Sequence, residues 1–230
     1  MHQATRLLVF AENDLQIAAL LFMAAVYALK IRWILKFPAG RDRQAPTGDL
    51  HTDASRGAKY SLLSIALPWS MRSTRQHPVL YAQFVIFHVG VAASIAMSFL
   101  VPYAPEALAG RPAVIVLRVI FAAALLVGAV RLVRRSTDPY MRAISSPDDY
   151  FSLTLLIVWL AFSFLAAPNQ ASVSEWPLLA YFFLTAFFLV YVPFSKISHY
   201  LFYPFSRWYL GRTLGHRGVY PVIRKPETYA

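Results

Sequence analysis

Five long apolar stretches constrain this chain more than any other feature of its sequence. Each has about 20 residues and few charges, and they cover residues 15–35, 79–103, 113–133, 150–167 and 177–200. A helix needs about 20 mostly apolar residues to cross the hydrocarbon core of a bilayer. Only helices and closed barrels satisfy every backbone hydrogen bond there. The sequence therefore predicts an all-α integral membrane protein with five transmembrane helices.

Composition excludes several classes of protein. Of the 230 residues, 58% are hydrophobic and 14% are charged, whereas a soluble domain carries about 25% charged residues. This composition excludes an ordinary soluble enzyme and a disordered chain. The chain has no cysteine, which excludes disulfides, Cys-ligated zinc, Cys-ligated iron–sulfur clusters and thioether-attached haem.

The distribution of basic residues predicts how the chain lies in the membrane. Of the 22 Lys and Arg residues, 19 fall in the first connection with its flanks, the third connection and the C-terminal side. The other three are Arg6, Arg111 and Arg118. Because Lys and Arg accumulate on the cytoplasmic side, we expect the N-terminus outside and the C-terminus in the cytoplasm.

This topology predicts two regions. Residues 1–205 form the five-helix transmembrane domain, with a long cytoplasmic loop at about 37–77, and residues 206–230 form a basic cytoplasmic tail. Within the loop, residues 60–69 are apolar enough for a short helix on the membrane surface. The run Ser146-Pro147-Asp148-Asp149 is typical of a helix N-terminus and predicts the start of the fourth span.

The excess of positive charge has two interpretations. It follows from topology and attracts anionic lipid, or it also docks a soluble partner. We do not expect nucleic acid as a partner, because the charge lies beside membrane spans.

Histidines inside apolar sequence are candidates for function, because ionisable groups in a bilayer are costly. Four of the six histidines lie in tails, loops or at the start of a span, which leaves His88 and His199. Two imidazoles on different helices, in a chain without cysteine, suit a b-type haem. Gly90, Ala92, Ala93 and Ala96 are small residues near His88, and Ala92 and Ala96 lie one and two turns beyond it on the same face. Such a surface lets a flat macrocycle approach the helix. The alternative is that they allow close helix packing while each histidine bonds a neighbouring helix.

Three segments of the chain resemble a known family. The run Val192-Pro193-Phe194-Ser195-Lys196-Ile197-Ser198-His199 resembles the end of the last span in the gamma subunit of respiratory nitrate reductase. The run Phe87-His88-Val89-Gly90 resembles that family's first haem-ligand helix, and the third connection through Asp149 is similar to its basic loop. The likeness covers most of residues 79–205.

The resemblance implies a membrane cytochrome b in the cytoplasmic (inner) membrane of a bacterium or archaeon. Such subunits pass electrons between the quinone pool and a cytoplasmic iron–sulfur protein or catalytic subunits, and relatives serve heterodisulfide-reductase-like and sulfur-metabolism complexes. His88 and His199 match the family's ligands for the haem nearer the cytoplasm. The positions of the family's second ligand pair are Ser98 and Tyr181 here, so we expect one haem b.

Two cations have open roles in this scheme. Arg118, in the third span, either donates a hydrogen bond to a quinone carbonyl or extends towards the outer interface. Lys196 either pairs with a haem propionate or marks the interface. We therefore treat His88, His199, Gly90, Lys196 and Arg118 as candidate cofactor-binding residues, with the two histidines as iron ligands.

Other functions compete with electron transfer. A haem-free anchor that recruits a cytoplasmic complex fits the same topology. A transporter is disfavoured because the spans lack paired acidic residues and broken helices at matched positions, and no hydrolytic constellation is present.

Overall fold

The computed structural model describes residues 5–38, 40, 42–49, 51–64 and 72–222. Within this described part the chain is helical and contains no strand. The helices are α1 (Arg6–Glu12), α2 (Asp14–Lys36), α3 (Ala54–Leu63), α4 (Arg72–Gln76), α5 (Pro78–Tyr103), α6 (Arg111–Thr137), α7 (Pro139–Ala143), α8 (Pro147–Ala166), α9 (Trp176–Tyr191) and α10 (His199–His216). Short 3-10 helices cover Pro105–Leu108, Val192–Phe194 and Lys196–Ser198.

Five helical segments are long and apolar enough to cross a membrane. They are Arg6–Lys36, Pro78–Tyr103, Arg111–Thr137, Pro147–Ala166 and Trp176–Phe194. The prediction of an all-α chain with five spanning helices is confirmed at this level. The side of the membrane on which each terminus lies stays a prediction.

The first spanning segment begins earlier than the sequence predicted. α1 precedes α2, and the backbone hydrogen bonds from Asn13 N to Val9 O (3.2 Å) and from Ile17 N to Asn13 O (2.9 Å) make the two helices nearly continuous. Leu8 and Ala11 are buried, so packing holds α1 in place. The apolar stretch predicted from the sequence begins only at residue 15, because the polar residues Glu12, Asn13 and Asp14 precede it.

The fourth span begins where the sequence predicted. Ser146 precedes α8, Pro147 occupies its first turn, and Asp148 and Asp149 face the positive end of the helix dipole. The Asp149 carboxylate accepts hydrogen bonds from the Ser146 backbone N–H and hydroxyl, each at 2.8 Å. This arrangement fixes the start of α8 at Pro147.

The last span ends earlier than predicted. We expected one helix over residues 177–200, but α9 and the following 3-10 turn stop at Phe194. Ser195 is extended, with φ −104° and ψ 169°, and a new helix, α10, begins at His199. Pro193 removes a backbone hydrogen-bond donor, and the extended backbone at Ser195 interrupts the helix completely.

The described chain divides into two compact units. The first unit comprises Met1–Ile31 and Val79–Ile197, and the second comprises Arg32–Pro78 and Ser198–Ala230. In this division α10 and the 37–77 connection belong to one unit. The predicted boundary at residue 205, between the membrane domain and a cytoplasmic tail, stays a prediction.

A buried hydrogen-bond network crosses the core of the first unit. Tyr181 of α9 donates to Ser94 O of α5 at 2.6 Å, and the hydroxyl groups of Ser94 and Ser163 lie 2.5 Å apart. Trp159 of α8 donates to Thr185 of α9 at 2.8 Å. These bonds satisfy polar side chains in an apolar setting and tie α5, α8 and α9 together.

The second unit is built around a glycine-lined contact between α3 and α10. A Cβ added at Gly57 would lie 2.3 Å from Gly211 O, and one added at Gly215 would lie 2.3 Å from Asp53 O. The two backbones therefore touch directly. The predicted short helix in residues 60–69 overlaps the end of α3, and residues 65–71 lie outside the described part.

Candidate functional site

His88 lies on α5 with its imidazole exposed. Nδ1 is 2.8 Å from Phe84 O, one helical turn earlier, and the Phe84 ring lies 4.1 Å from the imidazole, centroid to centroid. A carbonyl oxygen only accepts, so Nδ1 carries the proton. In the neutral imidazole the lone pair then lies on Nε2, which is the arrangement found in metal-ligating histidines.

The face of α5 that carries His88 bears small side chains. Ala92 and Ala96 follow one and two turns later, and both are exposed. A flat ligand beside His88 would meet methyl groups along this face.

Gly90 lies on another face of α5 and packs against α6. Gly90 is buried, and a Cβ added there would lie 2.3 Å from the Ala124 Cβ. Its missing side chain is used in helix packing, which was the alternative explanation for the small residues. A role for Gly90 beside a cofactor stays a prediction.

His199 is the first residue of α10 and belongs to the second unit. Its ring is exposed and lies 6.4 Å from the Tyr200 ring, centroid to centroid. The break after Phe194 means that this histidine begins a new helix instead of ending the last span. Because His88 and His199 lie in separately described units, their pairing on one iron stays a prediction.

Lys196 lies at the break and binds the start of α8. Its ammonium group is 2.7 Å from Asp149 Oδ2 and 2.8 Å from the Ser146 hydroxyl. Its backbone N–H donates to Asp148 Oδ2 at 3.1 Å, and Tyr191 donates to the other oxygen of Asp148. The two carboxylates therefore join α8 to the end of α9. The roles predicted for Lys196, at a propionate or at the interface, stay open.

A second cation holds the other side of the same break. The ammonium group of Lys30, on α2, donates to Pro193 O and lies 5.5 Å from the centre of the Phe194 ring. When the helix breaks at Ser195, Pro193 O loses its helical donor, and Lys30 replaces that donor. We call Lys30, Asp148, Asp149 and Lys196 the break clamp.

Sequence reasoning did not find the break clamp. Its signals were the charged residues in or next to apolar spans, namely Lys30 and the pair Asp148-Asp149. We assigned them to topology and to helix capping.

Arg118 binds backbone and ring atoms of α8. Its Nε donates to Phe164 O at 3.3 Å, and its guanidinium carbon lies 5.0 Å from the centre of the Phe164 ring. Phe164 lies near the C-terminal end of α8, where a cation also meets the negative end of the helix dipole. A quinone contact and an interfacial role both stay predictions.

Tyr181 and Ser98 stand where the resembled family has its second ligand pair. Tyr181 is fully buried, its hydroxyl donates to Ser94 O, and its ring stacks on Trp159 at 6.3 Å. The side chain at this position therefore packs α9 against α5 and α8. Among the described residues, no group of three or more His, Asp or Glu side chains is placed to hold a metal ion.

These features define a multi-pass helical membrane protein whose spanning unit carries an exposed, backbone-oriented histidine on α5. No family model matches the chain, and no solved structure matches it. It is 28% identical, over 169 residues, to a protein of Nitratidesulfovibrio vulgaris (strain Hildenborough) whose description reads "Protein". The match covers 68% of this chain and 70% of that relative.

Proposed function

We propose that this protein is a membrane cytochrome b subunit. It would carry electrons between the quinone pool and a cytoplasmic iron–sulfur partner through one b-type haem. The haem, when bound, supplies the one-electron chemistry, and the protein supplies the ligands, burial and orientation. The partner must hold any iron–sulfur cluster, since this chain has no cysteine.

The hydrogen bond from His88 Nδ1 to Phe84 O is the observation that carries this proposal. It fixes the tautomer that a ligating imidazole needs, in which Nδ1 carries the proton and Nε2 carries the lone pair. The Phe84 ring against the imidazole limits its rotation. A protein that used His88 only for helix packing would bury this side chain, whereas His88 is exposed.

The bare face beside His88 supports a flat ligand. Ala92 and Ala96 leave room for a macrocycle along α5. His199 enters as the second axial ligand on sequence grounds, from the run Pro193-Phe194-Ser195-Lys196 that precedes it. The packing of Tyr181 supports one haem, because its buried ring and hydrogen-bonded hydroxyl are committed to the core.

The test is a pyridine-haemochrome assay on the purified protein. We expect one b-type haem per chain. His88→Ala and His199→Ala should each remove the bis-imidazole absorption spectrum. His51→Ala, at an exposed histidine of the 37–77 connection, is the control and should keep it.

Two results would reject the proposal. One is wild-type protein that is colourless when purified from cells with adequate haem supply. The other is a bis-imidazole spectrum that survives either ligand substitution.

A haem-free anchor is the second candidate, and the connection between α6 and α8 favours it. Tyr140 and Ile144 are 85% and 74% exposed, and Arg142 beside them is also exposed. Hydrogen bonds hold this loop in shape: Asp138 accepts from the Tyr140 N–H at 2.8 Å, and Arg135 donates to Ser145 at 2.6 Å. Tyr140 and Arg142 lie on α7, and exposed Tyr and Arg side chains are typical of protein-binding surfaces.

The anchor function makes its own prediction. Tyr140→Ala with Ile144→Ser should reduce the amount of cytoplasmic complex that co-purifies with the protein, whereas His88→Ala should not. Val173→Ser, in the exposed connection between α8 and α9, is the matched control.

A further inference from the structure

In the α3–α10 pair, small residues form the contact between the helices and large apolar side chains are exposed. Glycines and small residues fill the contact between the helices, where a Cβ added at Gly211 would lie 2.6 Å from both Gly57 O and the Ser61 Cβ. The large apolar side chains point elsewhere. Leu63 of α3 is 59% exposed, and Trp208 and Tyr209 of α10 are 44% and 46% exposed. A pair of helices in water would bury such residues between them.

Cations lie one helical turn from these exposed apolar residues. Lys59 precedes Leu63 by four residues on α3, and Arg212 follows Trp208 by four residues on α10, so each cation shares a helix face with its apolar neighbour. Lys59 and Arg212 are both exposed, and neither forms an ion pair with a described carboxylate. Arg217 differs, because it pairs with Asp42.

The second unit as a whole is strongly basic. Its sequence ranges contain 13 Lys and Arg residues against 4 Asp and Glu residues, whereas the complete chain has 22 against 11. The chain also enters this unit directly from a membrane span, since α2 ends at Lys36 and the unit starts at Arg32. Its polypeptide is therefore the direct continuation of a spanning helix.

We propose that the second unit is an interfacial module that binds anionic phospholipid headgroups. In this arrangement Trp208 and Leu63 insert at the level of the headgroups, and Arg212 and Lys59 contact lipid phosphates. Trp prefers the membrane interface, and Lys and Arg near an anionic leaflet are attracted to it. A lipid surface also explains why the α3–α10 pair packs on glycines, because such a pair needs no apolar core of its own.

A bilayer fits this surface better than a soluble protein. The exposed apolar and basic residues are spread over two helices. Protein-binding sites concentrate their anchors in one packed pocket. The proposal uses no property of His88 or of a haem, so its test is independent of the proposed function.

Nitroxide labels on the full-length protein test the proposal directly. The chain has no cysteine, so one introduced cysteine is labelled specifically. Phe205 lies three residues before Trp208 on the same face of α10, whereas Ser206 projects from a different face. Labels at Phe205→Cys and Ser206→Cys are compared in two kinds of vesicle. One is pure phosphatidylcholine, and in the other about a quarter of the lipid is phosphatidylglycerol.

The measured quantity is the ratio of collisions with oxygen to collisions with a water-soluble nickel chelate. With phosphatidylglycerol present, we expect the ratio at residue 205 to rise at least fivefold and the ratio at residue 206 to change little. Arg212→Gln and Lys59→Gln should each lower the ratio of lipid-bound to unbound second unit about fivefold, which corresponds to about 1 kcal/mol per cation. Arg142→Gln, an exposed cation of the first unit, is the matched control and should have no effect.

Three outcomes would overturn the proposal. A label at residue 205 that stays accessible to nickel in both lipids would place this face in water. An equal rise at residues 205 and 206 would mean that no particular face is bound. Shielding of residue 205 that appears only when a cytoplasmic protein is added would identify a protein as the occupant.

Discussion

Ser61 has a hydroxyl that the fold does not use. The residue is fully buried between α3 and α10, and its Oγ has no hydrogen-bond partner. A buried, unpaired hydroxyl costs roughly 1–3 kcal/mol of stability. We expect Ser61→Ala to raise the free energy of unfolding by up to about 1 kcal/mol, because it removes this cost and leaves a small space. Thermal unfolding in detergent micelles measures the change.

The matched substitution at the same position enlarges the side chain. Ser61→Val should lower stability by roughly 1–3 kcal/mol, because the Ser61 Cβ already lies within 2.6 Å of where a Gly211 Cβ would be. A stabilising Ser61→Val, or a clearly destabilising Ser61→Ala, would contradict this account of the contact.

The pair of Asp42 and Arg217 makes the second unit sensitive to acid. The Arg217 guanidinium bonds both carboxylate oxygens of Asp42, and this hydrogen bonding, with that from the Gln44 N–H, lowers the pKa of Asp42 below its ordinary value. A lowered carboxyl pKa in the folded state stabilises the fold above the unfolded pKa of about 3.9, and the contribution is lost as pH falls through the lowered value. We therefore expect the protection of backbone amides at residues 42–49 against hydrogen exchange, relative to the unfolded chain at the same pH, to fall below about pH 4.

Asp42→Asn supplies the control for this acid response. The variant lacks the titrating group, so its exchange around residues 42–49 should be faster than that of the wild type at neutral pH and should show no acid transition from this pair. An unchanged acid transition in Asp42→Asn would assign the effect to another carboxylate.

At the scale of helices, the break clamp should show energetic coupling. Lys196→Met removes a partly exposed ion pair and should cost about 1 kcal/mol. Asp149→Asn should cost about 2 kcal/mol, because Asp149 also accepts from Ser146 at the start of α8. The double variant should cost less than the sum by about 0.5–1 kcal/mol. A double-mutant cycle in micelles measures this, with Arg142→Met as a control near zero.

The helices differ in how well the sequence predicts them. Spans and the start of α8 depend on local patterns, namely a run of apolar residues and the order Ser-Pro-Asp-Asp, so the sequence predicts both. The break after Phe194 depends on contacts from Lys30 and Asp148, which are distant in sequence. Pro193 alone indicates only a kink, and the ligand candidate His199 was therefore assigned to the wrong helix.

The candidate site shows the same limit. The spacing placed Ala92 and Ala96 on the face of His88, but it did not separate a use of Gly90 in helix packing from a use beside a cofactor. That separation depends on where α6 packs, since Ala124 lies against Gly90.

At the scale of the whole molecule, the second unit is what the sequence did not predict. Its two parts are separated by more than a hundred residues, and their contact uses glycines, which carry no hydrophobic pattern. The sequence therefore described the parts as a loop and a tail. The backbone contacts at Gly57 and Gly215, and the hydrogen bond from Gly48 N to Arg217 O at 3.0 Å, join them into one unit.

The orientation of the chain is the remaining prediction at this scale, and two exposed residues test it. Tyr140, between α6 and α8, and Val173, between α8 and α9, are 85% and 78% exposed, and one spanning helix separates them. Because basic residues mark the cytoplasmic side, a membrane-impermeant maleimide should label Val173→Cys in intact cells and Tyr140→Cys only after permeabilisation. The reverse pattern would place the basic second unit outside the cell, where attraction to the anionic cytoplasmic leaflet and exchange with a cytoplasmic partner would both be impossible.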